Sequence, residues 1–335
     1  MLRGMARPTV LEICAGGGGQ AAGLEAAGFD HAAAVEIEPP ACATLRHNRP
    51  RWHVIEGDVR GLQGRDFSGV DLLAGGVPCP PFSVAGKQLG ADDERDLFPT
   101  ALELVRTAKP RAVLLENVPG FASSRFDDYR NNILRTLRTM GYEPDWRILN
   151  ARDFGVAQLR PRFVLVALRE PYAASFSWPT PSTTVVSVGD ALRDLMGARG
   201  WRGVERWAEG ARGVGPTLVG GSKKHGGPDL GPTRARAQWA ALGVNGLGIA
   251  DLAPGPETPD DHRPKLTLPM VARLQGFDDA WHFVGRKTAA YRQVGNAFPP
   301  PVAQAVGRQI VAALQGVGAR TASRRRTFQP ALFPG

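Results

Sequence analysis

Cysteine is nearly absent: only Cys14, Cys42 and Cys79 occur in 335 residues. So sparse and odd a count excludes a disulfide framework, and the spacing is not that of metal ligands, so no metal is expected. A reducing, cytoplasmic setting fits, since it leaves a reactive thiol intact. Long apolar runs are lacking too. No stretch approaches the roughly 18 residues of a membrane span, so no membrane partner is expected. Arg3 and Arg7 have no apolar stretch behind them, which is not the pattern of a secretory leader. There is no internal repeat.

What is present is an ordinary globular composition, 43% hydrophobic and 22% charged, with enough chain for one large and one smaller domain. The formal net charge is +9. A positive field attracts phosphates and speeds encounter with them, which favours a polyanionic partner.

The first half alternates short apolar runs with helical patterns. Strands are expected over 9–13, 31–36, 52–56, 70–74, 111–115, 142–149 and 163–168, with helices near 20–27, 39–48, 97–108 and 131–140. This alternation predicts an α/β fold with a parallel, doubly wound sheet, whose ligands bind beyond the carboxyl ends of the strands. Around Trp178–Pro181 the texture changes: glycine and proline become frequent and periodicity weakens until about Arg263. Trp201, Trp207 and Trp239 predict a packed core there. A helical pattern returns over 302–314. The expected division is 1–178 plus 290–319 as one domain, 179–289 as a smaller domain with its hinge, and 320–335, containing Arg324-Arg325-Arg326, as a disordered basic tail.

The first strand ends in Ile13-Cys14-Ala15-Gly16-Gly17-Gly18-Gly19. A glycine-rich strand-to-helix turn lets backbone approach a ligand closely at a helix N-terminus. Alone it fits any nucleotide-type pocket, or a tight turn with no ligand. Glu36 ends the second strand about 20 residues on, where an acid can accept from ribose hydroxyls. Asp58 follows the third strand and could accept from an adenine amine. Singly, each acid is as well read as a solvated helix cap; three sites after three successive strands favour a ligand. No Lys followed by Ser or Thr completes the glycine loop, which argues against a nucleoside triphosphate.

Cys79 lies in Gly75-Gly76-Val77-Pro78-Cys79-Pro80-Pro81-Phe82-Ser83, after the fourth strand. Its prolines restrict the backbone and suit a rigid loop holding a thiol at a fixed angle. A lone cysteine is more often a small buried hydrophobe. Glu116, in Glu116-Asn117-Val118, sits just past the fifth strand, and adjacent strands would bring it near Cys79. Arg160 and Arg162, in Gln158-Leu159-Arg160-Pro161-Arg162, share a face if that segment is extended. Surface salt bridging is the plainer reading of the two arginines.

With Ala272–Phe277 and Gln293-Val294-Gly295-Asn296-Ala297, these segments resemble, in order and spacing, the DNA cytosine-5 methyltransferase family of bacterial restriction-modification type, over nearly the whole chain. The resemblance implies a class I S-adenosylmethionine-dependent methyltransferase (Rossmann-like) sheet with a smaller target-recognition domain. It implies Cys79 as nucleophile at cytosine C6, Glu116 on N3 and the exocyclic amine, and Arg162 with Arg160 on the base carbonyl and nearby phosphate. The target base must leave the duplex stack. The loop Ser83–Asp96 would close over it. S-adenosylmethionine, leaving as S-adenosylhomocysteine, would be held by Ile13, Cys14, Ala15, Gly16, Gly18, Glu36, Ile37, Asp58, Val59, Pro78, Leu97, Asn296 and Ala297. Cys14 and Ile37 depart from the aromatic residues common at those places, and Pro80 from the usual glutamine.

Double-stranded DNA is the expected partner, contacted by Ser83, Lys87 and Gln88 and by the basic cluster Lys223, Lys224, Arg234 and Arg236. A nucleoid-associated monomer is expected, with any cognate restriction endonuclease a separate protein. A tRNA cytosine-5 methyltransferase is one alternative, although no cysteine follows Cys79 to supply that subgroup's Cys-Phe-Thr motif. A catalytically inactive sequence-specific DNA-binding protein is another, but it would be expected to have lost Cys79 or Glu116. A nicotinamide-dependent oxidoreductase would share the glycine loop and acid but leave Gly75–Ser83 and Gln158–Arg162 unexplained.

Overall fold

The structure is a computed structural model that describes residues 6–78, 96–220 and 228–326, with only the backbone of 317–326. Its centre is a seven-stranded sheet. The strands are β1 (Thr9–Ile13), β2 (Asp30–Glu36), β3 (Val54–Glu56), β4 (Leu72–Gly76), β5 (Ala112–Asn117), β6 (Tyr142–Asn150) and β8 (Pro161–Arg169). Two-residue strands β7 (Gln158–Leu159) and β9 (Gly215–Pro216) pair separately, in parallel. The order is β3-β2-β1-β4-β5-β8-β6.

Strands β1 to β5 pair in parallel, as the strand–helix alternation predicts. Strand β8 departs from this parallel pairing and runs antiparallel to both β5 and β6. Only residues 151–160 join β6 to β8. That is too short for the crossover of a dozen or more residues that a parallel return requires.

Period-2 alternation divides the sheet's side chains between two cores. Leu11, Leu73, Val113, Leu115, Phe163 and Leu165 face one cluster. Val10, Leu72, Leu114, Val164 and Val166 face the other. Helices α3 (Phe98–Ala108) and α4 (Asp127–Thr139) cover the first face. Helices α1 (Gly19–Ala27) and α10 (Pro300–Arg326) cover the second, and α2 (Pro39–Asn48) lies beside β3. With both faces buried, the central strands β4, β5 and β8 read in sequence as largely apolar runs. Helix α4 begins earlier than its apolar pattern, because Asp127 and Asp128 suit the positive N-terminal end.

The remaining helices are α5 (Val188–Gly197), α6 (Val204–Gly210), α7 (Thr233–Ala241), α8 (Leu268–Leu274) and α9 (Lys287–Asn296). A third core joins Val188, Leu192, Trp201, Trp207, Leu218 and Trp239 to Phe277, Trp281, Tyr291 and Val294. All three expected core tryptophans are buried. Helix α10 continues through Arg326, in a stretch free of Gly and Pro after Gly318.

Candidate active site

Strand order reverses between β1 and β4, and a cavity of about 520 Å³ opens there at the strands' carboxyl ends. The turn after β1 forms one wall. Gly16 (φ 54) and Gly18 (φ 88) take left-handed backbone that glycine adopts freely, and Cys14 takes it too (φ 52). Glu36 braces this turn. Its Oε2 accepts from the Gly16 N–H at 2.7 Å, and its Oε1 accepts from the N–H groups of Ile37 and Glu38 at 2.9 Å each.

Of the residues expected around a cofactor, Cys14, Ala15, Gly16, Glu36, Ile37, Asp58, Val59, Pro78, Leu97, Asn296 and Ala297 all line the cavity. Ile13 and Gly18 do not. The Ile13 side chain is wholly buried against Gly75 of β4. Gly18 is covered by the Trp281 indole, whose Cζ2 would lie 2.5 Å from a β-carbon there. Trp281 also donates from Nε1 to the Gly17 carbonyl at 3.0 Å, so the glycine turn is held from the far end of the chain. Asp58 caps the short turn behind it and accepts from the Arg60 N–H at 2.9 Å. That pairing with Arg60 holds its carboxyl below the usual range, as a charged acceptor.

Glu12 and Gln20 line the same cavity without having been expected there. Glu12 is fully buried, and its Oε2 lies 3.1 Å from His31 Nε2. Burial pushes its carboxyl up, and His31 draws it back. Among the described residues, Glu12 Oε1 and both amide atoms of Gln20 find no hydrogen-bond partner. Buried polar atoms want partners, so this lining fits a ligand carrying both donors and acceptors. In sequence Glu12 reads as the one charged residue in a largely apolar strand; Gln20 carries no signal beyond its place after the glycines.

Glu116, the penultimate residue of β5, lies beside Gly76 of β4 and also faces the cavity. Strand β8 brings Arg162 against it, with Nε donating to Glu116 Oε1 at 2.8 Å. Both are more than nine-tenths buried. Burial pushes the Glu116 carboxyl above its ordinary range, with Arg162 and then Arg160 drawing it down. Asn117 fixes the neighbouring loop: its Nδ2 donates to the Val77 carbonyl at 2.8 Å. Leu97 N–H donates to the Pro78 carbonyl at 3.4 Å. Glu116 is therefore set beside Gly76, which lies three residues upstream of Cys79. Cys79, Ser83, Lys87, Gln88, Lys223 and Lys224 lie outside the described residues.

Arg160 has a different task from the one expected. It is 1% exposed. Its Nη1 donates to Leu218 O at 2.7 Å, and its Nη2 to Gly295 O and Ala297 O at 2.8 and 2.9 Å. A guanidinium so occupied does not reach a base carbonyl or phosphate. The two arginines do not share a face because Arg160 falls in the break between β7 and β8, where extended alternation lapses.

Cys14 and Cys42 hold their protons. Burial first, then Glu36, pushes Cys14 up to about 12 and Cys42 up to about 11. On α7, Arg234 is exposed, while Arg236 sits 3.7 Å from Asp229. Among the described residues there is no cluster of three or more His, Cys, Asp or Glu fit for a metal, and no helix long and apolar enough to cross a membrane.

The comparisons agree with this geometry. A family model described as C-5 cytosine-specific DNA methylase matches residues 8–312. The chain is 58% identical over 313 residues to Type II methyltransferase M.NaeI of Lentzea aerocolonigenes, covering 92% of this chain and 76% of that one. It is 52% identical over 310 residues to Type II methyltransferase M.NgoMIV of Neisseria gonorrhoeae, covering 92% and 98%. Its fold matches a putative prophage-encoded DNA modification methyltransferase of E. coli with TM-score 0.64 and 23% identity, over 92% and 99% of the two chains. With a sheet and cavity of the class I methyltransferase type, and a family match spanning nearly its whole length, this chain belongs to the C-5 cytosine-specific DNA methylases.

Proposed function

We propose that the chain methylates C5 of a flipped-out cytosine, within a specific duplex sequence, through a transient bond between Cys79 Sγ and cytosine C6. The observation that carries this reading is the buried Glu116–Arg162 pair: Glu116 faces the cavity and sits in register with Gly76, three residues before Cys79. Cytosine C5 alone is a weak nucleophile. Thiolate addition at C6 shifts the ring electrons towards N3 and makes C5 enamine-like. A protonated Glu116 donates to N3, offsets the charge developing there, and accepts from the exocyclic amine. Arg162 holds Glu116 in place and reaches towards the base carbonyl. When C5 has taken the methyl group it loses its proton, the C6–S bond breaks, and the ring's double bond returns.

S-adenosylmethionine supplies the methyl group when bound. Glu36 would accept from its ribose, Asp58 from its adenine amine, and Gln20 with Glu12 would meet the polar groups of its amino-acid end. Residues 179–289 would read the target, with 1–178 and 290–319 forming the catalytic unit. The relatives named as Type II methyltransferases support a place in a restriction-modification system; the chain would act as a monomer, with any cognate endonuclease a separate protein.

Incubation with methyl-labelled S-adenosylmethionine and mixed-sequence duplex, followed by mapping, should find 5-methylcytosine at one short sequence. Label on adenine, or none on DNA, overturns the reading. A duplex with 5-fluorocytosine at that site should be trapped covalently by the wild type and not by Cys79→Ser.

A further inference from the structure

We infer that Arg160 is a positioning residue that makes cofactor occupancy and target-DNA binding depend on each other. This rests on reading the cavity as the methyl-donor site and 179–289 as the target-reading part. Three observations carry it.

The first is what Arg160 joins. Its three bonds run to Leu218, which follows β9, and to Gly295 and Ala297, which flank Asn296. Asn296 and Ala297 are cavity wall. One planar fork thus bridges a loop within the target-reading segment and the methyl-donor pocket.

The second is that Leu218 is held at both ends of its peptide unit. Gln158, two residues before Arg160, accepts from the Leu218 N–H at 2.9 Å. Its Nε2 donates to Leu274 O and Gln275 Oε1 at 2.8 Å each. Gln275 donates in turn to Ala297 O at 2.6 Å. The Ala297 carbonyl therefore receives from both Arg160 and Gln275, and the network closes on itself. Buried polar networks rigidify what they join; among the described residues only the Arg160 Nε of this one lacks a partner.

The third is a seat with no side chain in it. A β-carbon on Gly295 would lie 2.5 Å from the Cα and N of Gly220, and one on Gly220 would lie 2.3 Å from Asn296 Oδ1. Backbone rests on backbone there, so a shift of 218–220 moves 295–297 directly. Two residues beyond Arg160, Arg162 of β8 holds Glu116, so strand β8, which begins just after Arg160, carries the movement into the base pocket. No ion pair to Arg160 occurs among the described residues. A buried cation with no touching carboxylate is costly to keep; a fork that ties three backbone carbonyls in two segments is what it provides.

If each ligand prefers one setting of this seat, each tightens the other by the same factor. The test measures binding of the full chain to a duplex carrying the mapped site, with and without saturating S-adenosylhomocysteine. For the wild type we expect S-adenosylhomocysteine to tighten DNA binding by about 5- to 150-fold. Arg160→Lys keeps the charge but loses the fork. Gly220→Ala puts a methyl group into the seat. In both, the ratio should fall towards one, while S-adenosylhomocysteine affinity without DNA stays within about threefold. Gly23→Ala, which strains the distant α1–α10 contact, should keep the wild-type ratio; a mere loss of stability would move all three alike. Should Arg160→Lys fail to fold, Gly220→Ala decides. A wild-type ratio of one, or an unchanged ratio in a folded variant, overturns the coupling alone. A wild type that binds no S-adenosylhomocysteine or no DNA overturns the underlying reading, and the coupling with it.

Discussion

The chemistry of individual residues separates the three cysteines. A thiol at about 12 is ionised to roughly one part in 10⁴ at pH 8, and one at about 11 to roughly one in 10³. Thiolate is the nucleophile, so Cys14 and Cys42 are inert in the folded chain. Brief treatment with iodoacetamide at pH 8 should abolish activity with label on Cys79, and on the other two only after unfolding. Label on Cys14 first would contradict the burial that sets its proton. Glu116 gives the pH dependence. Its folded pKa lies above the unfolded value. It therefore favours the folded chain at low pH, and that contribution is lost as pH rises through the folded value. The same deprotonation removes the donor to cytosine N3, so kcat/KM should fall on the alkaline side. Glu116→Gln should cost most of the turnover, keep S-adenosylmethionine affinity, and flatten that limb. Equal loss of cofactor affinity would show that Glu116 serves the cofactor instead.

Elements, rather than residues, set the close approach of α1 to the chain entering α10. A β-carbon on Gly23 would lie 2.4 Å from the Pro300 carbonyl and 2.6 Å from Ala303 Cβ. Overpacking of this kind costs about 1–3 kcal/mol, so Gly23→Ala should lower the thermal midpoint while retaining cofactor binding. An unchanged midpoint would mean that α10 can slide away. This contact was hidden in the sequence, where Gly23 is one glycine among many. The strands β1, β4 and β5 were legible because both their faces are buried, and so were the polar residues at the carboxyl ends of the parallel strands. The reversal of β8 was not, since a strand buried on both faces has the same pattern in either direction. Arg160 and Arg162 were alike on paper. Only the break between β7 and β8 sends one to the carbonyls of the network and the other to Glu116. Trp281 gave no hint of its bond to Gly17, because the two are 264 positions apart.

At the scale of the whole molecule, the net charge of +9 acts through phosphates. Each phosphate neutralised by a cation releases counterions, giving a slope near −0.9 per contact in log affinity against log salt. Arg234 and Arg236 then differ in a measurable way. Both lie on α7, but positions two apart on a helix face different directions. Arg234 is exposed, whereas Arg236 already stands near Asp229 at 3.7 Å. If α7 tracks the DNA backbone, Arg234→Ala should reduce the salt slope by about one and weaken all duplexes about equally. Arg236→Ala should change it less, because Asp229 already offsets that charge in the free protein. Titrating labelled duplex at several salt concentrations checks both. A loss confined to the methylated sequence, with the slope unchanged, would instead place Arg234 on a base edge and make it part of how the target is read.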